Sequence, residues 1–185
     1  MTRIAIMVTN GTEDIELIVP TDIWRRCGII VKLISIEKKK NVILSNGVKV
    51  SCDDIIAKEN LNKYNAIYLP GGPGHKFFNE QYAPKLAAHI KKNYKNKDLT
   101  FMAMCAASTV FADYGILDMS VKLTCYPGLE KGKLEKNYVK KDVVFSKNFI
   151  TGAGPGVAKE FALEVAAHFT SPQKAKDVAK EMLYK

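Results

Sequence analysis

The feature that most constrains this chain is a regular alternation of short apolar, β-rich runs with longer stretches of helical spacing. Residues 3–8 read as a strand that stops at Asn10-Gly11, a turn signal. Residues 13–27 follow, with Ile15, Ile18, Val19 and Ile23 near helical spacing and Gly28 as a stop. Pro20 lies inside that stretch and is expected in the first turn of the helix proper. A second strand over 29–36 leads into a lysine-rich loop, and 42–44 with 48–51 predict a small hairpin around Asn46-Gly47. Strands are expected over 66–69, 99–104, 122–125, 143–145 and 149–151, and helices over 84–94, 106–114, 156–169 and 174–183.

Strands that alternate with crossover helices call for a doubly wound α/β architecture: a mostly parallel sheet with helices on both faces. The run 99–104 is apolar apart from Thr100, as a strand buried on both faces should be. With 185 residues and no repeat or long linker, a single domain over 1–185 is expected. Ligands of such sheets bind beyond the carboxyl ends of the strands. Attention therefore falls on the strand-ending segments 9–16, 70–74, 105–108, 125–127 and 152–156.

Composition excludes several classes. The formal charge is +9, yet only Arg3, Arg25 and Arg26 among 28 basic residues are arginines, and the lysines are dispersed. With no nucleic-acid-binding signature beside them, they read as a solvated surface, and no specific nucleic-acid partner is expected. No apolar run nears the roughly 20 residues of a membrane span, and the N-terminus reads as no signal peptide. A cytoplasmic protein without a membrane role is the expectation. Cys27, Cys52, Cys105 and Cys125 form no CxxC or CxxH pair, so they are read as separate thiols, with neither a metal nor any other cofactor implied.

Chemistry concentrates at three places. Cys105 sits where a buried strand turns sharply into a helix, the geometry of a nucleophile elbow without its GxSxG spelling. Amides at that helix start are expected to favour the thiolate and lower the thiol's pKa, although a cysteine simply packed at a strand end is the plain alternative. Pro70-Gly71-Gly72-Pro73-Gly74 ends another buried strand, and its glycines let backbone N–H groups approach a ligand. Together with the amide of Ala106 that loop offers an oxyanion-stabilising pair. The loop is not a Walker sequence, and no GxGxxG follows the first strand. Glu16, on the apolar helix under the sheet's carboxyl edge, is a candidate for a desolvated acid with a raised pKa.

Five segments taken together resemble the ThiJ/PfpI superfamily, and within it the subgroup of the Parkinson-associated DJ-one protein and its bacterial relatives. They are GTEDIELIVPTDIWRRCGI at 11–29, YLPGGPG at 68–74, AMCAAS at 103–108, TCYPGLE at 124–130 and TGAGPGVAKEFAL at 151–163. The resemblance implies a flavodoxin-like sandwich, usually homodimeric. It matches Cys105 to the family's reactive, oxidisable cysteine, Glu16 to its acidic partner, and Gly72 and Ala106 to the amides that face substrate. Gly71, His75 and Tyr126 are further pocket candidates, His75 reading more plainly as a surface loop histidine. Tyr126 stands where some relatives carry histidine, and Ala106 stands where the protease-like branch does. A Cys–His–acid triad is therefore not expected, and cysteine peptidase activity is a minor alternative.

The resemblance implies a cofactor-free glyoxalase III or deglycase, acting through Cys105 and Glu16 on small 2-oxoaldehydes such as methylglyoxal or on glycated adducts. The competing expectation is an oxidative-stress sensor or redox-dependent chaperone that oxidises the same cysteine to a sulfinate.

Overall fold

Among the residues that the computed structural model describes, 1–184, seven strands assemble into one sheet. They are β1 (Arg3–Val8), β2 (Ile30–Ser35), β5 (Asp54–Ile55), β6 (Ala66–Leu69), β7 (Thr100–Met104), β8 (Val143–Ser146) and β9 (Phe149–Gly152), ordered β5-β2-β1-β6-β7-β9-β8. Every pairing is parallel except that of β8 with β9. The order reverses across β1, with β2 on one side and β6 on the other, which is the flavodoxin-like arrangement. A separate antiparallel hairpin, β3 (Asn41–Ile43) with β4 (Lys49–Ser51), leans on the loop after β1, where the Gly11 N–H donates to the Ile43 carbonyl at 2.8 Å.

Period-two alternation along the buried strands divides two cores. Ile4, Ile6 and Val8 of β1, with Tyr68, Met102, Met104 and Ile150, pack beneath α1 (Asp14–Arg26), α4 (Ala158–Phe169) and α5 (Pro172–Glu181). Ala5, Met7, Ile67, Leu69, Phe101 and Ala103 point the other way, against α2 (Pro84–Asn93) and α3 (Thr109–Asp113). No described helix is long and apolar enough to cross a membrane.

Four elements differ from the sequence expectation. First, α1 begins at Asp14 and carries Pro20 in its interior instead of starting there. Proline has no N–H, so the Glu16 carbonyl loses its normal partner four residues on. The buried Tyr68 hydroxyl donates to that carbonyl at 3.0 Å, which satisfies it from across the core. Second, 122–125 is no strand. Both edges of β9 are taken, by β7 and β8, so this segment makes only an isolated bridge from Leu123 to Tyr138. Third, the helix expected over 106–114 is a 3-10 turn, Cys105–Ser108, followed by only one and a half turns of α3. Fourth, β5 is a two-residue edge strand, too short to leave a periodic signal.

Candidate active site

The carboxyl ends of β1, β6, β7 and β9 converge on one point, and Gly71 marks it. Met104 pairs in register with Gly152, Leu69 with Ala103, and Ile6 with Tyr68, so the segments following them are neighbours. A Cβ placed on Gly71 would lie 2.8 Å from Cys105 Cβ, 2.9 Å from Glu16 Oε2 and 2.9 Å from the Met104 carbonyl oxygen. Only glycine fits between the thiol-bearing and the acid-bearing residues.

Cys105 adopts φ +58°, the left-handed region that costs a side-chain-bearing residue about 1 kcal/mol or more. That turn lifts the side chain off the end of β7 and aims it at the loop after β6, as a nucleophile elbow does. The Ala106 and Gly72 backbone amides lie close enough to the sulfur to favour its thiolate. Gly72 is itself at φ +88°, and a Cβ there would meet the Glu13 amide nitrogen at 2.5 Å. The two amides expected from the sequence thus do face the thiol.

Glu16 is fully buried, in the first turn of α1. Its Oε2 accepts the Gly71 N–H at 2.6 Å, while Oε1 makes no hydrogen bond of good geometry among the described residues. The carboxyl and the Cys105 thiol nevertheless stand close enough to perturb each other. Burial pushes Glu16 up to about 7; the Gly71 amide and the thiol pull the other way, and the Glu13 carboxylate adds to the rise. Burial and then the Glu16 charge push the Cys105 thiol up to about 12, against the pull of the two amides. This corrects the expected lowering of the thiol. The helix meant to favour thiolate is a 3-10 turn with a stub of α3, so it supplies the Ala106 amide and little dipole, and the second amide, that of Gly72, comes from the loop after β6. One proton is therefore shared between the two groups above neutral pH, and that monoanionic pair is the chemical unit of the site.

The other candidates fall into two groups. Gly71 belongs to the centre of the site. Tyr126 is half exposed and packs against Gly154, just beyond the end of β9, so it flanks the site on that side without hydrogen-bonding to the pair. His75 Nδ1 is held 2.9 Å from the Gly72 carbonyl oxygen, which braces the glycine loop, and the ring makes no hydrogen bond to Cys105 or Glu16 among the described residues. His89 lies on α2, and His168 sits at the far end of α4 between Phe145 and Phe169. No described histidine completes a triad. Cys125 is wholly buried, with burial pushing its thiol up to about 11. Among the described residues no three His, Cys, Asp or Glu side chains gather as a metal site.

Sequence reasoning missed Tyr68 and Glu13. The only signal for Tyr68 was Pro20, four residues after Glu16, which announces an unpaired carbonyl at the acid itself. Glu13 caps α1: its side chain accepts the Glu16 N–H at 2.7 Å, the spacing of a helix N-cap to its third residue.

Comparison with known proteins identifies the family and the fold. The model of the DJ-1/PfpI family matches residues 2–168. Protein dj-1beta of Drosophila melanogaster is 33% identical over 181 residues, covering 96% of this chain and 95% of its own. A Caenorhabditis elegans protein described as glutathione-independent glyoxalase DJR-1.2 is 31% identical, covering 96% and 93%. Among solved structures, oxidised Toxoplasma gondii DJ-1 superposes with a TM-score of 0.90 at 26% identity, covering 100% of this chain and 99% of that one. With its elbow cysteine, its buried acid and a match over most of its length, this chain belongs to the DJ-1/PfpI family.

Proposed function

We propose that the protein is a glutathione-independent glyoxalase acting on small 2-oxoaldehydes such as methylglyoxal. The observation that carries this reading is the buried monoanionic pair of Cys105 and Glu16 around Gly71. A thiol attack that must be followed by proton movement needs a base that becomes an acid within the same step, and a carboxyl near 7 suits both roles. Glu16 takes the thiol proton as sulfur bonds to the aldehyde carbon. The resulting hemithioacetal oxygen meets the Gly72 and Ala106 amides. Glu16 returns its proton to that oxygen, and then, as a carboxylate, takes the hydrogen of that carbon as a proton and delivers it to the adjacent carbonyl carbon while the hydroxyl proton passes to the neighbouring oxygen, giving a 2-hydroxy thioester. Water cleaves the thioester to lactate and restores the thiol. No redox cofactor enters, because one carbon is oxidised as its neighbour is reduced.

Cys105 is only 8% exposed, which favours a two- or three-carbon aldehyde over a glycated protein side chain and so glyoxalase over deglycase. The C. elegans relative's description agrees with this activity. Lactate formed from methylglyoxal without glutathione, and lost by at least about a hundredfold in Cys105→Ser and Glu16→Gln, is the expected result. Unchanged turnover in Cys105→Ser sinks the reading.

A second reading, redox sensing, has its own support. Cys105 is the most exposed of the four free thiols, and the two amides that face its sulfur would equally hold sulfinate oxygens. Mild peroxide should then add two oxygens to the Cys105 peptide before any other. We also propose a homodimer. Ile15 and Ile18 of α1 and Ile43 and Val48 of the hairpin, which the Ser45 hydroxyl ties to Asp14 at the start of α1, are apolar and 45–53% exposed, as residues of a subunit contact would be. Sedimentation of Ile18→Lys as a monomer where the natural sequence dimerises tests it. Four unpaired cysteines fit a reducing, cytoplasmic setting.

A further inference from the structure

Three hydrogen bonds close a ring around the site. The Glu13 N–H donates to the Gly71 carbonyl at 2.9 Å, the Gly71 N–H donates to Glu16 Oε2 at 2.6 Å, and the Glu16 N–H donates to Glu13 Oε2 at 2.7 Å. Gly71 in turn touches Cys105 Cβ, and Gly72, whose amide faces the sulfur, packs on the Glu13 nitrogen. We propose that Glu13 is a positioning residue for the Cys105–Glu16 pair, which locks the acid-bearing turn of α1 to the loop that carries the sulfur-facing amide.

The ring couples the two halves of the site through one side chain. The helix start and the glycine loop are far apart in sequence, and a shift of either moves Glu16 relative to sulfur. Glu13 also adds a negative charge beside the pair. The charged or titratable groups facing Glu16 are Cys105, Glu13 and Tyr68; Tyr68, held neutral by burial far above its usual range, supplies no counter-charge. Asp14, the next residue, turns its carboxylate to Ser45 and Asn46 of the hairpin instead. Glu13 thereby favours a proton on the pair, and removing its charge moves the pair's titration towards acid.

The inference rests on the pair being the reactive unit, as the glyoxalase reading holds, but its test does not need turnover. Iodoacetamide alkylation of Cys105, quantified on its peptide from pH 5 to 9, is compared in the natural sequence, Glu13→Gln, Glu13→Ala and the control Asp14→Asn. Glu13→Gln keeps an oxygen acceptor for the Glu16 amide and loses the charge. Its midpoint should move towards acid with little change in melting temperature, while Asp14→Asn keeps the original midpoint. With methylglyoxal at pH 8, Glu13→Ala should lose about tenfold in kcat and Glu13→Gln should recover most of it. An alkylation midpoint unmoved in Glu13→Gln, together with full kcat in Glu13→Ala, overturns the proposal. A displaced midpoint with no lactate from any variant upholds the ring's control of the pair and instead defeats the glyoxalase reading.

Discussion

Replacing Glu16 with glutamine should make the protein more stable relative to the natural sequence as pH rises, and the size of the effect follows from one burial. Unfolded, the Glu16 carboxyl titrates at 4.5; folded, burial pushes it up to about 7. Between those values the native state holds a proton that the unfolded chain has released. Unfolding free energy therefore falls with pH through that window and levels off above it. A rise from 4.5 to about 7 corresponds to about 3 kcal/mol at 1.36 kcal/mol per unit. Glutamine is neutral throughout, keeps an oxygen for the Gly71 N–H and carries no such cost. In a chain of this length, 3 kcal/mol is about 6–12 °C of melting temperature.

The assay is thermal or urea unfolding of both proteins under reducing conditions at half-unit steps from pH 4 to 8.5. Subtracting the two curves removes every carboxylate and histidine they share. The difference should be small near pH 4, grow through pH 6 and saturate near pH 8 in favour of Glu16→Gln. A flat difference would falsify the raised carboxyl. A difference of opposite sign, with the natural sequence gaining stability above pH 5, would show Glu16 ionised and paired, and would remove the shared-proton mechanism with it.

Other consequences of the same geometry are open to measurement. Because the first proton leaves the pair near 7 and the second near 12, kcat/KM for methylglyoxal should rise through a midpoint near pH 7 and stay level to pH 9; a profile that rises only above pH 9 would mean free thiolate is required. Gly71→Ala puts a methyl 2.8 Å from Cys105 Cβ, and should cost about 1–3 kcal/mol in urea unfolding and abolish turnover. Tyr68→Phe leaves the Glu16 carbonyl unpaired in the core, with an expected loss of about 1–3 kcal/mol, whereas Tyr68→Phe combined with Pro20→Ala should recover part of it by restoring the helical N–H. At φ +58°, Cys105→Gly should be more stable than Cys105→Ala by about 1 kcal/mol despite glycine's freer unfolded state.

Much of this was legible because it depends on period and punctuation. The alternation of strand and helix along the chain, with the apolar run before Cys105 broken only by Thr100, pointed to the buried strands, and their carboxyl ends told where to look for chemistry. What escaped has a common physical origin: it depends on which neighbours compete for a backbone edge. Residues 122–125 have strand-like composition but meet a β9 already paired on both sides. Pro20 looked like a helix start because proline's missing bond is normally intolerable in mid-helix. Here Tyr68, 52 residues beyond Glu16 in sequence, answers it.

The protonation of the site is illegible for a stronger reason, since it is a difference between large opposing effects. Amides at a strand-to-helix turn lower a thiol's pKa, and that much can be read from the position of Cys105. Whether they prevail depends on how many groups compete with burial. One amide from the 3-10 turn and one from the glycine loop do not outweigh a dry pocket and a neighbouring acid, so the thiol rises to about 12. The same dryness raises Glu16, and the two shifts are consequences of one another: a pocket that resists a second charge keeps one proton between sulfur and oxygen. A reactive cysteine in this setting is not a standing thiolate. Its nucleophilicity is released only as Glu16 takes the proton, so reactivity belongs to the pair, and any change that separates carboxyl from sulfur should silence Cys105 without touching it.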